Sequence, residues 1–173
     1  VVENLSLREP RSLRAIFFPS PECTVAGRPL VNASFALNHA WGGFDPSGYR
    51  LVNAGIHAAN VLLLFAFGSV FLGLRWAPLP ESSARWCAGT AAALWAVHPL
   101  ILGTVVYVSQ RTELLLGTCF LLTLLGAVLS SKEGSEQRFW GIVSVSACFA
   151  GVLCKEPMVT APAVVVLLDW AVA

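Results

Sequence analysis

Apolar residues fall in long blocks along this chain rather than in alternation. Residues 51–74 form 24 consecutive positions without a charge, and 86–108, 114–129, 139–154 and 158–172 are further mostly apolar runs. A helix of that first length is about 36 Å long, enough to cross a hydrocarbon core of about 30 Å. Arg75-Trp76 closes the first run with a basic and an aromatic interface anchor. His98-Pro99 interrupts the second run, and Lys155-Glu156-Pro157 separates the last two. Block length, not periodicity, is the signal. It predicts five helices that cross or nearly cross a membrane.

The first fifty residues read differently. They hold Arg8, Arg11, Arg14 and Arg28, the acids Glu3, Glu9, Glu22 and Asp45, and four prolines ahead of Asp45-Pro46. Leu13, Ile16 and Phe17, with Arg11 and Arg14 opposite, predict a short amphipathic interfacial helix that Pro19 and Pro21 stop. A second helix is expected over 29–41, ended by Gly42-Gly43. The organisation expected is all-α: an extramembrane loop over 1–50, then a polytopic transmembrane bundle over 51–173. Both ends read as cut, since the chain begins without methionine or a signal segment and stops inside an apolar run.

Composition agrees with that reading. Of 173 residues 56% are hydrophobic and 12% charged, about half the charge of an ordinary soluble domain. A net charge of +1 gives no bias toward nucleic acid. Four of the five cysteines, Cys87, Cys119, Cys148 and Cys154, lie in apolar runs, and none makes a CxxC pair. They are expected to pack as small hydrophobes, with neither a disulfide framework nor a metal site.

Alternating the runs across a membrane puts His98-Pro99, Arg111 and Lys155-Glu156 on the side of the first loop. The opposite loops carry Arg75, Arg85, Lys132 and Arg138, which the positive-inside rule assigns to the cytoplasm. The shared side is then non-cytoplasmic, although the arginines of the first loop weigh against that orientation.

Several polar residues stand out within this arrangement. Asn53, His57 and Asn60 are spaced i, i+4, i+7 and share one helix face. Spacing favours helix–helix hydrogen bonding over the alternative, a polar cavity. His98 before Pro99 either caps a helix break or contacts a ligand. Glu113 suits a helix N-terminus, whereas Arg111 at that end suits an anion such as phosphate, or else a lipid headgroup. Lys155-Glu156 marks a hairpin or faces a site, each residue with its own partner.

Three blocks of residues carry a family resemblance. They are Gly27-Arg28-Pro29-Leu30 with Ser34-Phe35-Ala36-Leu37-Asn38 and Gly48-Tyr49 through Asn53 and His57; His98-Pro99-Leu100 with Tyr107 and Gln110-Arg111-Thr112-Glu113; and Lys155-Glu156 with Met158-Val159-Thr160-Ala161-Pro162 and Asp169. In this order they resemble the membrane domains of bacterial tetratricopeptide-repeat (TPR) proteins related to the eukaryotic transmembrane-and-TPR O-mannosyltransferases, in the GT-C class of glycosyltransferases. The resemblance implies transfer of a sugar, mannose among the candidates, from a polyprenyl-phosphate donor to a protein hydroxyl. It implies no cofactor and no metal; the lipid-linked sugar is the donor substrate. The expected setting is a bacterial inner membrane with the site on the periplasmic face. Membrane lipid, the lipid-linked sugar and a protein acceptor are the implied partners, with TPR-bound proteins added through a C-terminal region and nucleic acid excluded.

The same resemblance puts the catalytic carboxylate in an acidic motif upstream of residue 1. It places Arg111, His98 and Lys155 around the lipid phosphate, and Arg28, Asn53, His57 and Glu156 where they position loop, sugar or acceptor. Two positions depart from the pattern: Gly103 stands where relatives carry glutamate, and Tyr49-Arg50 where they read Tyr-His. Rival expectations are a non-catalytic anchor presenting a TPR array, which Gly103 favours, and a transporter, which the lack of an inverted repeat disfavours.

Overall fold

In a computed structural model of the chain, the described residues are 27–74, 79–132 and 134–172. The amphipathic helix expected around Leu13 to Phe17 lies outside them. Among the described residues every regular element is helical: α1 (Pro29–Gly42), α2 (Pro46–Phe71), α3 (Glu81–Ala96), α4 (Pro99–Val106), α5 (Arg111–Ser130), α6 (Gln137–Val152) and α7 (Ala161–Val172), with 3₁₀ turns at Val108–Gln110 and Glu156–Thr160.

Local chemistry explains the breaks. Gly43 ends α1 at φ 61°, a left-handed conformation that glycine adopts without Cβ strain, and its N–H returns to the His39 carbonyl at 2.8 Å. The Asp45 side chain caps α2 by accepting from Ser47 N at 3.0 Å, and Pro46 takes the first helical position. That hydroxyl also donates to Asp45, and the two bonds hold the carboxyl below its usual pKa. The helix therefore begins five residues before the apolar run read from the sequence.

Helices α2 and α5 form the centre, with α3 on α2 and α6 on α5. Small residues let the backbones approach, as expected where lipid supplies no hydrophobic drive between helices. Ala84, Ala88 and Ala92 form a buried stripe on α3, and a Cβ at Gly68 of α2 would stand 3.1 Å from that of Ala88. Across α5 and α6, the Ser144 hydroxyl donates to the Thr123 carbonyl at 2.8 Å.

Among the described residues two elements are long and apolar enough to cross a membrane, Pro46–Phe71 and Val108–Ser130. The pair Glu81–Ala96 and Pro99–Val106, bent by 57°, makes a third if counted as one span. The expected five crossing or nearly crossing helices are not confirmed. At 16 residues, α6 reaches about 24 Å, short of a full hydrocarbon core. The polar break at residues 155–157 separates the apolar runs of α6 and α7.

Candidate functional site

The His98-Pro99 break organises the end of the bundle that carries α1. Pro99 has no N–H, so the Trp95 carbonyl accepts from His98 N at 3.2 Å instead. Leu100 N–H, which a continuous helix would give to Ala96, turns to His98 Nδ1 at 3.3 Å. The orphaned Ala96 carbonyl is then met by His57 Nε2 at 3.0 Å, which fixes the tautomer with the proton on Nε2. His98 is thus an exposed helix cap, and His57 is the group that repairs the kink.

The other members of the polar stripe act alike. Asn53, fully buried, donates through Nδ2 to the carbonyls of Val105 and Tyr107 at 3.3 and 3.4 Å, where α4 ends. Asn60 donates to the Leu114 carbonyl at 2.9 Å and accepts from the Thr118 hydroxyl at 2.7 Å. Each satisfies backbone or side-chain groups that have no water to turn to at membrane depth.

Arg111 is the hub. Its residue is 0% exposed. Nε donates to Asn53 Oδ1 at 2.8 Å, Nη1 to the Ser34 carbonyl at 3.2 Å, and Nη2 to Asn38 Oδ1 at 2.7 Å and the Tyr49 carbonyl at 3.0 Å. The guanidinium carbon lies 4.6 Å from the Phe35 ring centre and 5.5 Å from that of Tyr49, a cation–π pairing strengthened by the dry surroundings. Four donors are spent on α1 and α2, so the side chain expected at an open phosphate site is turned inward as a clamp. Ser34, Asn38 and Tyr49 were not singled out in the sequence as its partners. Their signal in the sequence was only their place within the first block of the family resemblance.

Lys155 pairs with Glu113 of α5, two residues after Arg111, their side chains 26% and 36% exposed. Glu113 in turn lines a cleft of about 390 Å³ walled by Leu64, Trp95, Leu116, Phe120 and Leu121, with Pro157 and Thr160 on its other side. An apolar trough with one carboxylate in its wall, itself paired with Lys155, suits an amphipathic molecule with one charged head. Glu156, the neighbour of Lys155, is exposed. Arg28 is half-buried at the start of α1, where its carbonyl accepts from Asn32 N at 3.1 Å. The structure therefore brings Asn53 and Arg111 together and places Lys155 beside Glu113. His98, Glu156 and Arg28 stand outside both groups. Among the described residues, no three His, Cys, Asp or Glu side chains gather as a metal site.

Fold and clamp define a helical membrane protein in which α1 is locked onto the bundle by a buried arginine. Comparison with known proteins narrows the class. The chain is similar to protein O-mannosyl-transferase Tmtc1 of Drosophila melanogaster, 35% identical over 136 residues, covering 78% of this chain and 14% of that protein. Human protein O-mannosyl-transferase TMTC4 is 34% identical over 142 residues (77% of this chain, 19% of that protein), and human TMTC2 is 35% identical over 145 residues (82% and 16%). Over this stretch the chain belongs to the TMTC family of protein O-mannosyl-transferases. It spans less than a fifth of the length of these relatives. No family model matches the chain, and no solved structure matches it.

Proposed function

We propose that this chain is part of a GT-C-type membrane glycosyltransferase that moves a sugar, with mannose the leading candidate, from a polyprenyl-phosphate donor to a protein hydroxyl. The observation that supports this reading is the apolar cleft lined by Glu113, whose carboxylate pairs with Lys155. A polyprenyl chain fits the trough, and the Lys155 ammonium offsets the phosphate charge that grows as the glycosyl bond breaks. Glu113 holds the ammonium in place until the phosphate arrives. Arg111 contributes indirectly, by fixing α1 and its loop to the bundle. The general base that deprotonates the acceptor belongs to an acidic motif upstream of residue 1, and the site faces the non-cytoplasmic side, the periplasm in a bacterial host. TPR-bound proteins would join through a C-terminal region.

The test is transfer of mannose from a radiolabelled lipid-linked donor by the full-length protein in liposomes. Lys155→Gln lowers transfer by on the order of 10²-fold, the usual effect of removing one charge-stabilising donor, while helix content stays unchanged. Full activity in Lys155→Gln removes the cleft as the donor site. Gly103, whose missing side chain opens on empty space, favours the second reading, a non-catalytic anchor. Absence of transfer by the wild-type protein with every lipid-linked hexose supports that anchor.

A further inference from the structure

Helix α1 is amphipathic the wrong way round for a helix in water. None of its 14 residues is Asp, Glu, Lys or Arg. Its polar side chains are turned inward or spent: Asn32 and Asn38 are buried, the Ser34 hydroxyl donates to the Val31 carbonyl at 2.7 Å, and the half-buried His39 ring lies 4.3 Å from that of Phe44. The outward face is Ala33, Leu37, Ala40 and Trp41, spaced i, i+4, i+7, i+8. Leu37 is 70% exposed and Trp41 91%. The clamp fixes the depth of this face. Tyr49 and Asn53 stand in the first turns of α2, and Arg111 opens α5; both helices belong to elements long and apolar enough to span. Bonds from Arg111 to Ser34 and Asn38 therefore hold α1 level with the point where both elements enter the membrane. Tyr107 is also exposed, and its carbonyl accepts from Asn53, so a second aromatic ring stands at this level. At the far end of the bundle, Trp86 in the second turn of α3 and Trp170 near the end of α7 are exposed in the same way. Exposed aromatic residues at both ends of an apolar bundle are the pattern of interfacial belts.

We propose that α1 is an interfacial helix whose outward face, led by Leu37 and Trp41, is seated in phospholipid at the boundary between headgroups and acyl chains. The face offers a protein partner no charge and a single side-chain hydrogen-bond donor, the Trp41 indole N–H. Lipid asks for no more: the ring body meets acyl chain while the N–H reaches the wet headgroup layer. The face also continues into exposed apolar side chain where α2 enters the membrane, at Leu51. Helix α1 is then held from two sides. Its amide and carbonyl oxygens grip the buried Arg111 guanidinium, and its apolar side rests in the bilayer. The inference does not depend on the glycosyltransferase reading, since its test follows lipid contact rather than sugar transfer.

The experiment replaces Leu37 or Trp41 of the full-length protein, one at a time, with the photoreactive residue p-benzoylphenylalanine. A third variant carries the probe at Ser135, exposed in the polar loop between α5 and α6. Each is reconstituted in dioleoylphosphatidylcholine vesicles, irradiated and read by mass spectrometry, since the excited benzophenone inserts into any C–H bond within reach, those of acyl chains included. Phospholipid adducts are expected at positions 37 and 41 and not at 135. The proposal is overturned if 37 and 41 give no more lipid adduct than 135, which would place the face in water. It is equally overturned if they cross-link instead to another segment of the chain or to a second copy, which would mean that protein covers the face. Each position decides on its own, so the loss of one variant leaves the other to settle the question.

Discussion

Arg111 Nε and Asn53 Oδ1 meet at 2.8 Å between α5 and α2, and the cation is neutralised by amide and carbonyl oxygens rather than by a carboxylate. A buried charge held this way loses everything if its partners move. Arg111→Ala would leave the oxygens of Asn53, Asn38, Ser34 and Tyr49 without this donor. At about 1–3 kcal/mol for each buried unsatisfied group, with partial relaxation, a loss of about 3 kcal/mol or more is expected. Arg111→Lys keeps the charge but not the fork, and recovers only part of that loss. Denaturant titration in micelles gives the stability, and limited proteolysis between α1 and α2 reports release of α1. Wild-type protection in Arg111→Ala would remove the clamp.

The stripe residues are expected to differ in coupling to Arg111. Asn60→Leu removes one interhelical bond to Leu114 and one from Thr118, and should cost about 0.6–1.7 kcal/mol in a membrane setting. Asn53→Leu also strips Nε of Arg111 and should cost about 2–3 kcal/mol. A double-mutant cycle between Asn53 and Arg111 should show a coupling of about 0.5–3 kcal/mol, while Asn60, two helical turns from Asn53 along α2, should be additive with Arg111. Equal coupling for both pairs contradicts the hub.

The sequence made some of these relationships readable and hid others, for physical reasons. The i, i+4, i+7 stripe marks a shared face on any helix, and the choice of helix bonding over a cavity follows from the cost of lone polar groups in lipid. All three residues indeed bond neighbouring elements. The helix over 29–41 was legible because proline and glycine punctuate it at both ends. The number of spans was not, because apolar length says nothing of where the backbone bends, and two runs end in short helices. Arg111 was misleading for a related reason. Its position at a helix start suggests an outward anion ligand, whereas its direction is set by Asn38 and Tyr49, residues far off in sequence. The partner of Lys155 was equally remote, 42 positions away at Glu113.

Asp45 offers a pH test confined to one end of α2. Its carboxylate accepts from Ser47 N and the Ser47 hydroxyl, which lowers its pKa from the ordinary 3.8. A group with a depressed folded pKa contributes stability fully above the unfolded value and loses it as pH falls through the folded one. The hydrogen-exchange protection factor of Ser47 N–H should therefore hold above pH 3.8 and decline below it. Asp45→Asn, still an N-cap without a titrating group, should stay flat across that window. A matching decline in Asp45→Asn would assign the effect to another group.

Three glycines should respond to alanine with opposite signs. At Gly151 the added Cβ meets Met158 at 2.5 and 2.6 Å and Cys119 at 3.0 Å; at Gly126 it meets Ser144 N and the Trp140 carbonyl at 2.9 Å. Met158 is itself fully buried and has little room to yield, and at Gly126 the obstacle is backbone. Overpacking of this kind costs about 1–3 kcal/mol, with Gly126→Ala at the upper end because a helix must shift. Gly103 lies within α4 and has nothing within 4 Å of a Cβ. There alanine only restricts the unfolded chain and favours the helix, a gain of up to about 1 kcal/mol. Unfolding midpoints in micelles of matched composition compare the three directly. Destabilisation by Gly103→Ala equal to that of Gly151→Ala would mean that α4 packs against something at that face.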